Sequence, residues 1–270
     1  MNILFIGDII GRPGRNAVKK ILPELKHKYA IDLVIANGEN LASGIGMTEK
    51  TYNEMIDAGI DYFTSGNHIF NKKEFLPILD DKETKVLRPV NYSGNVQGKG
   101  WVDLDILGGR SRLQHKIRLI NLQGNVFMKD QIDNPFLKAD KLLDDMRYAI
   151  SDKPDVIIVD FHAEATSEKN SFAYYLDGRV TCIVGTHTHI QTNDARILPK
   201  GTAYMTDVGM VGPINSSIGD DLKHSIHSFL TGEKFKIEPA KGPCIFNSAL
   251  IKINPNNKVE TIETINKNID

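Results

Sequence analysis

Asn2-Ile-Leu-Phe-Ile-Gly-Asp8 decides the reading of this chain, because an apolar run of strand length breaks at a glycine and meets a carboxylate one residue later. Four further runs end in the same manner: Asp32-Leu-Val-Ile-Ala-Asn-Gly-Glu39-Asn40, Tyr62-Phe-Thr-Ser-Gly-Asn67-His68, Val156-Ile-Ile-Val-Asp160-Phe-His162 and Cys182-Ile-Val-Gly-Thr-His187-Thr-His189. In open α/β sheets ligands bind beyond the carboxyl ends of the strands, so parallel neighbours would gather these polar ends on one rim. A single acidic residue after a strand is ordinarily a turn former or a helix cap. Repetition across five strand ends points instead to a site. Gly7, Gly38, Gly66 and Gly185 stand just before the polar groups and let the backbone leave strand geometry close to a ligand.

Asp8, Glu39, Asn40, Asn67, His162, His187 and His189 offer two carboxylates, three imidazoles and two amide oxygens without a thiolate. That set suits Fe, Mn, Zn or Ni, with Fe or Mn placed first, and not a structural cysteine site. The donors are many for one catalytic ion and match two divalent or transition-metal ions sharing a bridging carboxylate. Two such cations, less the Asp8 and Glu39 charges and a bridging hydroxide, leave about one net positive charge, which complements a phosphodiester monoanion.

Working outward from these ends, short apolar runs at 3–6, 33–36, 62–63, 156–159 and 180–184 alternate with helical patterns, which is α/β grammar. Residues 15–29 place Val18, Ile21, Leu22 and Leu25 on one stripe of a helix. Residues 48–58 read as a second helix capped by Thr48, and 138–150 as a third, with Leu142, Leu143, Met146 and Ile150 on one side. The later runs 101–107, 116–121, 203–206 and 245–253 lack long helices between them and suggest a second, partly antiparallel sheet. Asn254-Pro-Asn-Asn257 reads as a turn between the last two strands, and 94–100 and 108–112 as mobile loops. With no repeat and no linker-like stretch, residues 1–270 read as one domain.

Thirty-three Lys and Arg against 34 Asp and Glu give a net charge of −1, so no global field recruits nucleic acid or an anionic membrane. Lys72-Lys73 and the arginines at 110–112 are too sparse for a nucleic-acid groove, and RNA as a phosphodiester substrate has no support in the charge. Two cysteines in 270 residues make no disulfide framework, and the N-terminus has no basic signal-peptide region. No apolar run reaches membrane-spanning length. The expected address is the cytoplasm.

The motifs Gly7-Asp8-Ile-Ile-Gly-Arg-Pro-Gly14, Asn37-Gly-Glu39-Asn40, Gly66-Asn67-His68, Asp160-Phe-His162-Ala-Glu-Ala-Thr-Ser-Glu168 and Gly185-Thr-His187-Thr-His189 resemble the calcineurin-like metallophosphoesterases. They resemble more closely the bacterial YmdB-like branch of cyclic-nucleotide phosphodiesterases. The resemblance implies an α/β/β/α sandwich of two mixed sheets flanked by helices. It implies one metal on Asp8, Asn40 and His189, a second on Asn67, His162 and His187, Glu39 bridging them, and His68 facing the phosphate. It also implies hydrolysis of a 2′,3′-cyclic AMP type of substrate by a hydroxide bridging the ions, and it permits a homo-oligomer. The broad superfamily has Asp-x-His after its first strand and usually an aspartate bridge; Asp8-Ile9-Ile10 and Glu39 depart from both and agree with the narrower branch.

Competing readings are a two-metal phosphomonoesterase or amidohydrolase, and a metal-dependent nucleotide-sensing protein with little turnover. Gly7, Gly11 and Gly14 lack dinucleotide-binding spacing, and Asp8 would face the pyrophosphate. Asp160 is either a partner orienting an imidazole or a strand aspartate satisfied by backbone donors. His224 and His227 read as a solvated helix face, His27 and His115 as surface residues, Cys182 as a buried small hydrophobe and Trp101 as core.

Overall fold

The computed structural model describes residues 1–108, 113–148, 153–234 and 238–270. In chain order its strands are β1 (Asn2–Ile6), β2 (Asp8–Ile9), β3 (Leu33–Asn37), β4 (Tyr62–Thr64), β5 (Trp101–Gly108), β6 (Leu113–Gln123) and β7 (Val156–His162). They continue with β8 (Cys182–Thr186), β9 (Arg196–Ile197), β10 (Ala203–Met205), β11 (Met210–Pro213), β12 (Cys244–Ile253) and β13 (Val259–Ile269). The helices are α1 (Gly11–Lys28), α2 (Glu49–Asp57), α3 (Leu76–Leu79), α4 (Pro135–Tyr148), α5 (Thr166–Tyr175) and α6 (Leu222–Thr231).

Seven strands form one sheet in the order β2-β11-β12-β1-β3-β4, with β13 also on β12; six form another in the order β5-β6-β7-β8-β10-β9. Both are mixed: β1, β3 and β4 are parallel while β12 meets β1 antiparallel, and β6, β7, β8 and β10 are parallel while β5 and β9 are antiparallel.

Strand alternation explains the layering. On β1, Leu4 and Ile6 pack with Val18, Leu22 and Leu25 of α1, while Ile3 and Phe5 face the other way and pack with Ile117, Ile158 and Val184 of the second sheet. Val159 and Phe161 of β7 pack in turn with Phe172 of α5 and Ala139 of α4. The layers therefore run helix, sheet, sheet, helix, the arrangement that the resemblance implies.

Helix α1 begins at Gly11, four residues before the expected start, because Gly11 takes a left-handed φ of 52° and Pro13 suits a first helical turn. Its buried positions include the expected Val18, Ile21, Leu22 and Leu25. Thr48 caps α2 through a reciprocal box, its hydroxyl accepting from Thr51 N–H while the Thr51 hydroxyl accepts from Thr48 N–H. Leu142 and Leu143 of α4 pack on the outer core; the side chain of Met146 and residue Ile150 lie outside the described part, as do residues 109–112 of one expected loop.

Some expectations are corrected. The two sheets do not divide the chain into early and late halves. The run at 245–253 becomes β12 and pairs with β1 in the first sheet, while β7 and β8 join the second. Strand β12 is buried on both faces, so it takes a central position that its own apolar pattern cannot assign to either sheet. Trp101 lies on edge strand β5, 38% exposed, with the Arg118 guanidinium 4.1 Å over its ring, and is not core. His115 is buried, not on the surface, its Nδ1 2.7 Å from Asn257 Oδ1. That contact belongs to the turn after β12, where Asn257 N–H donates to Asn254 O. Among the described residues no helix is long and apolar enough to cross a membrane.

Candidate metal centre

The polar ends of β1, β3, β4, β7 and β8 meet at one edge of the stacked sheets. The first sheet brings Asp8, Glu39, Asn40, Asn67 and His68, the second His162, His187 and His189. Contact across the gap is direct, with Glu39 Oε2 3.3 Å from His162 Nε2. All the expected site residues lie in this one cluster.

Two donor groups form, Glu39 with His162 and His187, and Asp8 with Glu39 and His189, so Glu39 stands in both. The tautomers can be read from partners that only accept. His189 Nδ1 lies 2.7 Å from the Ile218 carbonyl and must donate to it, which leaves the Nε2 lone pair 3.7 Å from Asp8 Oδ1. His187 Nε2 donates to Glu164 Oε2 at 3.0 Å, leaving Nδ1 as an acceptor. The Thr186 hydroxyl donates to Asp160 Oδ1 at 2.7 Å and so accepts from His162 Nδ1–H at 2.9 Å, leaving His162 Nε2 turned into the cluster. His162 Nε2 and His187 Nδ1 are thus two inward-facing nitrogens 3.0 Å apart, with Asn67 Oδ1 at 3.2 Å and Glu39 Oε2 at 3.3 Å from the first. Four atoms that can each donate a lone pair converge here, and a metal ion can take the place of the proton that Glu39 favours on His162 Nε2.

The second group carries the same signature. Asp8 is fully buried; its Oδ2 accepts His187 N–H at 3.2 Å, but its Oδ1 has no hydrogen-bond partner. A buried carboxylate oxygen with no hydrogen bond, facing His189 Nε2 only at 3.7 Å, is costly unless a cation meets it more closely. Asn40 Nδ2 lies 3.2 Å from His189 Nε2 and 3.4 Å from Glu39 Oε1, while its Oδ1 accepts His68 Nδ1–H at 2.9 Å. Turning the amide over presents its oxygen to this group instead. The residues present therefore fit a metal in both places.

Electrostatics agree. Burial alone would raise the Glu39 carboxyl, but His162, His68 and His187 hold it well below the usual range. Burial would lower His162 and His189, yet Glu39 raises the first and Asp8 carries the second up to about 9. Burial, with His162 beside it, takes His187 down to about 3. The pocket favours positive charge at His162 and His189 while holding His187 neutral. Glu164 and Asp220 also line the cavity of about 270 Å³ at the site. Carboxylates surround it, and an anion would enter only with cations as counter-charge.

Asp160 is fully buried and pushed up to about 7 by burial; beyond Thr186 it accepts Asn37 Nδ2 at 3.3 Å. It orients His162 through Thr186, which resolves its two readings in favour of a residue behind the site. Sequence reasoning assigned no role to Asn37, Glu164, Thr186, the Ile218 carbonyl or Asp220. Glu164 lay within a quoted motif, whereas Ile218 and Asp220 sit in a stretch with no periodic signal. His224 and His227 are on α6, which has no buried residue, and His27 is exposed, all away from the cluster as expected.

Comparison with known proteins gives a consistent picture. The family model described as "YmdB-like protein" matches residues 4–265. A Bacillus subtilis (strain 168) protein named 2′,3′-cyclic-nucleotide 2′-phosphodiesterase is 44% identical over 258 residues, covering 96% of this chain and 93% of that protein. A crystal structure titled as a novel phosphatase, from Mycoplasma pneumoniae, superposes with a TM-score of 0.89 at 38% identity, covering 100% of this chain and 94% of that one. The crystal structure of a hypothetical protein from Thermus thermophilus gives a TM-score of 0.90 at 38% identity, covering both chains fully.

Proposed function

The chain belongs to the YmdB-like protein family, and from that premise we propose that it is a metal-dependent phosphodiesterase acting on cyclic nucleotides of the 2′,3′-cyclic type. The observation that carries the metal reading is Glu39, shared between two donor groups whose other members include an unpartnered buried carboxylate oxygen, Asp8 Oδ1. Asp8, Asn40 and His189 would hold one ion, Asn67, His162 and His187 the other, and Glu39 both, with Fe or Mn first among the candidates. Bound ions would supply Lewis acidity, bringing the pKa of water toward neutrality and drawing charge from the phosphoryl oxygens.

The chain's own residues supply the rest. His68 lines the cavity beside Asn40, its side chain 26% exposed. When Asn40 turns its oxygen toward the metal group, its NH2 faces His68 Nδ1. That nitrogen then accepts, and the ring proton moves to Nε2, the nitrogen left for substrate. His68 in that tautomer donates to the leaving ribose oxygen. Glu164 holds His187 by its Nε2–H, and the Ile218 carbonyl holds His189 by its Nδ1–H. Cys182 and Cys244 are buried, unbridged thiols, which suits a reducing cytoplasm.

The test is hydrolysis of 2′,3′-cyclic AMP, bis-p-nitrophenyl phosphate and p-nitrophenyl phosphate by metal-stripped protein, alone and with Mn²⁺, Fe²⁺ or Zn²⁺. Metal-restored turnover of the two diesters is expected. Restoration on the monoester alone would make the protein a phosphomonoesterase, and no turnover with any ion would make it a binding protein.

A further inference from the structure

Behind the pocket histidines lies an ion pair that the chemistry above does not use. Lys169 of α5 is 1% exposed and Asp207, beyond β10, is fully buried, with Lys169 Nζ 2.7 Å from Asp207 Oδ2. A buried pair of this kind is weak support for stability, since apolar residues of similar volume often serve a core as well. Its significance lies in what it grips. Asp207 Oδ2 accepts Thr188 N–H at 3.1 Å and the Thr188 hydroxyl at 2.6 Å, Lys169 Nζ reaches Thr188 Oγ1 at 3.4 Å, and Asp207 Oδ1 accepts Gly209 N–H at 2.7 Å.

Thr188 is the residue between His187 and His189, which take φ values of 96° and 65°. Residues other than glycine persist in that region only where their surroundings over-determine the backbone. The neighbouring packing shows how tightly the anchor is fitted. A Cβ at Gly185 would meet Thr206 O at 1.8 Å and Lys169 Cδ at 3.2 Å, so glycine there admits both the close strand and the lysine stem. The pair is also neutral as a unit, whereas an unpaired lysine beside a cation site would oppose metal uptake.

We propose that Lys169 and Asp207 are positioning residues for metal uptake: by clamping Thr188 they hold the strained loop in which His187 serves one donor group and His189 the other. The proposal rests on the reading of those histidines as ligands. A carboxylate that fixes a ligand-bearing backbone belongs to the outer partners whose loss characteristically weakens metal affinity.

The experiment is equilibrium dialysis of the full chain against Mn²⁺, with circular dichroism and Tm recorded for each variant. Thr188→Val removes the clamped hydroxyl at constant size, and Lys169→Met removes the charge while keeping the stem. Both are expected to bind Mn²⁺ about 10- to 100-fold more weakly while folded. A pair that only supports the core would lower Tm in Lys169→Met and leave Mn²⁺ affinity at the wild-type value in both variants, which overturns the proposal. If Lys169→Met does not fold, Thr188→Val decides alone, in either direction. His187→Ala and His189→Ala serve as controls: wild-type Mn²⁺ binding in both would show that the ligand reading is wrong, and the proposal falls with it.

Discussion

Glu39 has two oxygens and two neighbourhoods, Oε2 near His162 Nε2 at 3.3 Å and Oε1 near His68 Nδ1 at 3.5 Å. A terminal ligand can be lost from one ion alone, but a shared one cannot. Glu39→Ala is therefore expected to lower metal content at both positions together with the rate, as read by elemental analysis of the purified protein; full occupancy would remove Glu39 from the bridge. His68 differs in kind, since it lines the cavity but belongs to neither donor group and touches the donors Asn40 and Glu39. His68→Ala should retain the metals and lose about 10²–10⁴-fold in kcat, the range of a general acid. A variant that lost both ions, or kept full turnover, would exclude that role.

At the scale of elements, the site depends on how strands end. Gly66, after β4, approaches the cluster so closely that a Cβ would meet His162 Nε2 at 2.1 Å and Glu39 Oε2 at 2.4 Å. Gly66→Ala should thus abolish metal binding without changing any donor, and an Ala variant with normal metal content would show that the loop has room to move. These strand-end glycines and donors were legible because each motif is local. The groups that aim the imidazoles were not, since Thr186, Glu164 and Ile218 are recognisable only once His162, His187 and His189 have been oriented. Between β8 and β9, Asp194 shows the same kind of tie away from the donors. Burial would raise its carboxyl, but hydrogen bonds from Thr192, Thr206 and Arg196 hold it below its ordinary 3.8. A depressed folded pKa contributes stability above about pH 4 and loses it as pH falls through the folded value. In urea titrations of metal-free protein, Asp194→Asn should accordingly be less stable than the wild type at pH 6 and closer to it at pH 3; an equal gap at both would sink the assignment.

For the whole molecule, the arrangement of the sheets was the less legible part. The apolar runs of β1 and β7 marked them as buried strands, but β12 is equally buried on both faces and its pairing with β1 depends on long-range contact that no local pattern encodes. Because Asp8, Glu39, Asn40 and Asn67 come from the first sheet and His162, His187 and His189 from the second, the two donor groups also join the sheets. Without ions the edge of the sandwich holds two buried carboxylates and a carboxylate oxygen with no hydrogen bond, which oppose the packing of the apolar layer behind it. An ion that binds the folded chain and not the unfolded one adds about 2.7 kcal/mol at a free concentration of 100 times its Kd. Metal-loaded protein should consequently melt several degrees above the stripped protein, with the gain rising with Mn²⁺ concentration. His162→Ala, which takes one of the second sheet's donors from the group it shares with Glu39 and His187, should remove part of that gain. If His162→Ala kept the full metal-dependent rise in Tm, His162 would not be among the donors through which the ions tie the second sheet to the first.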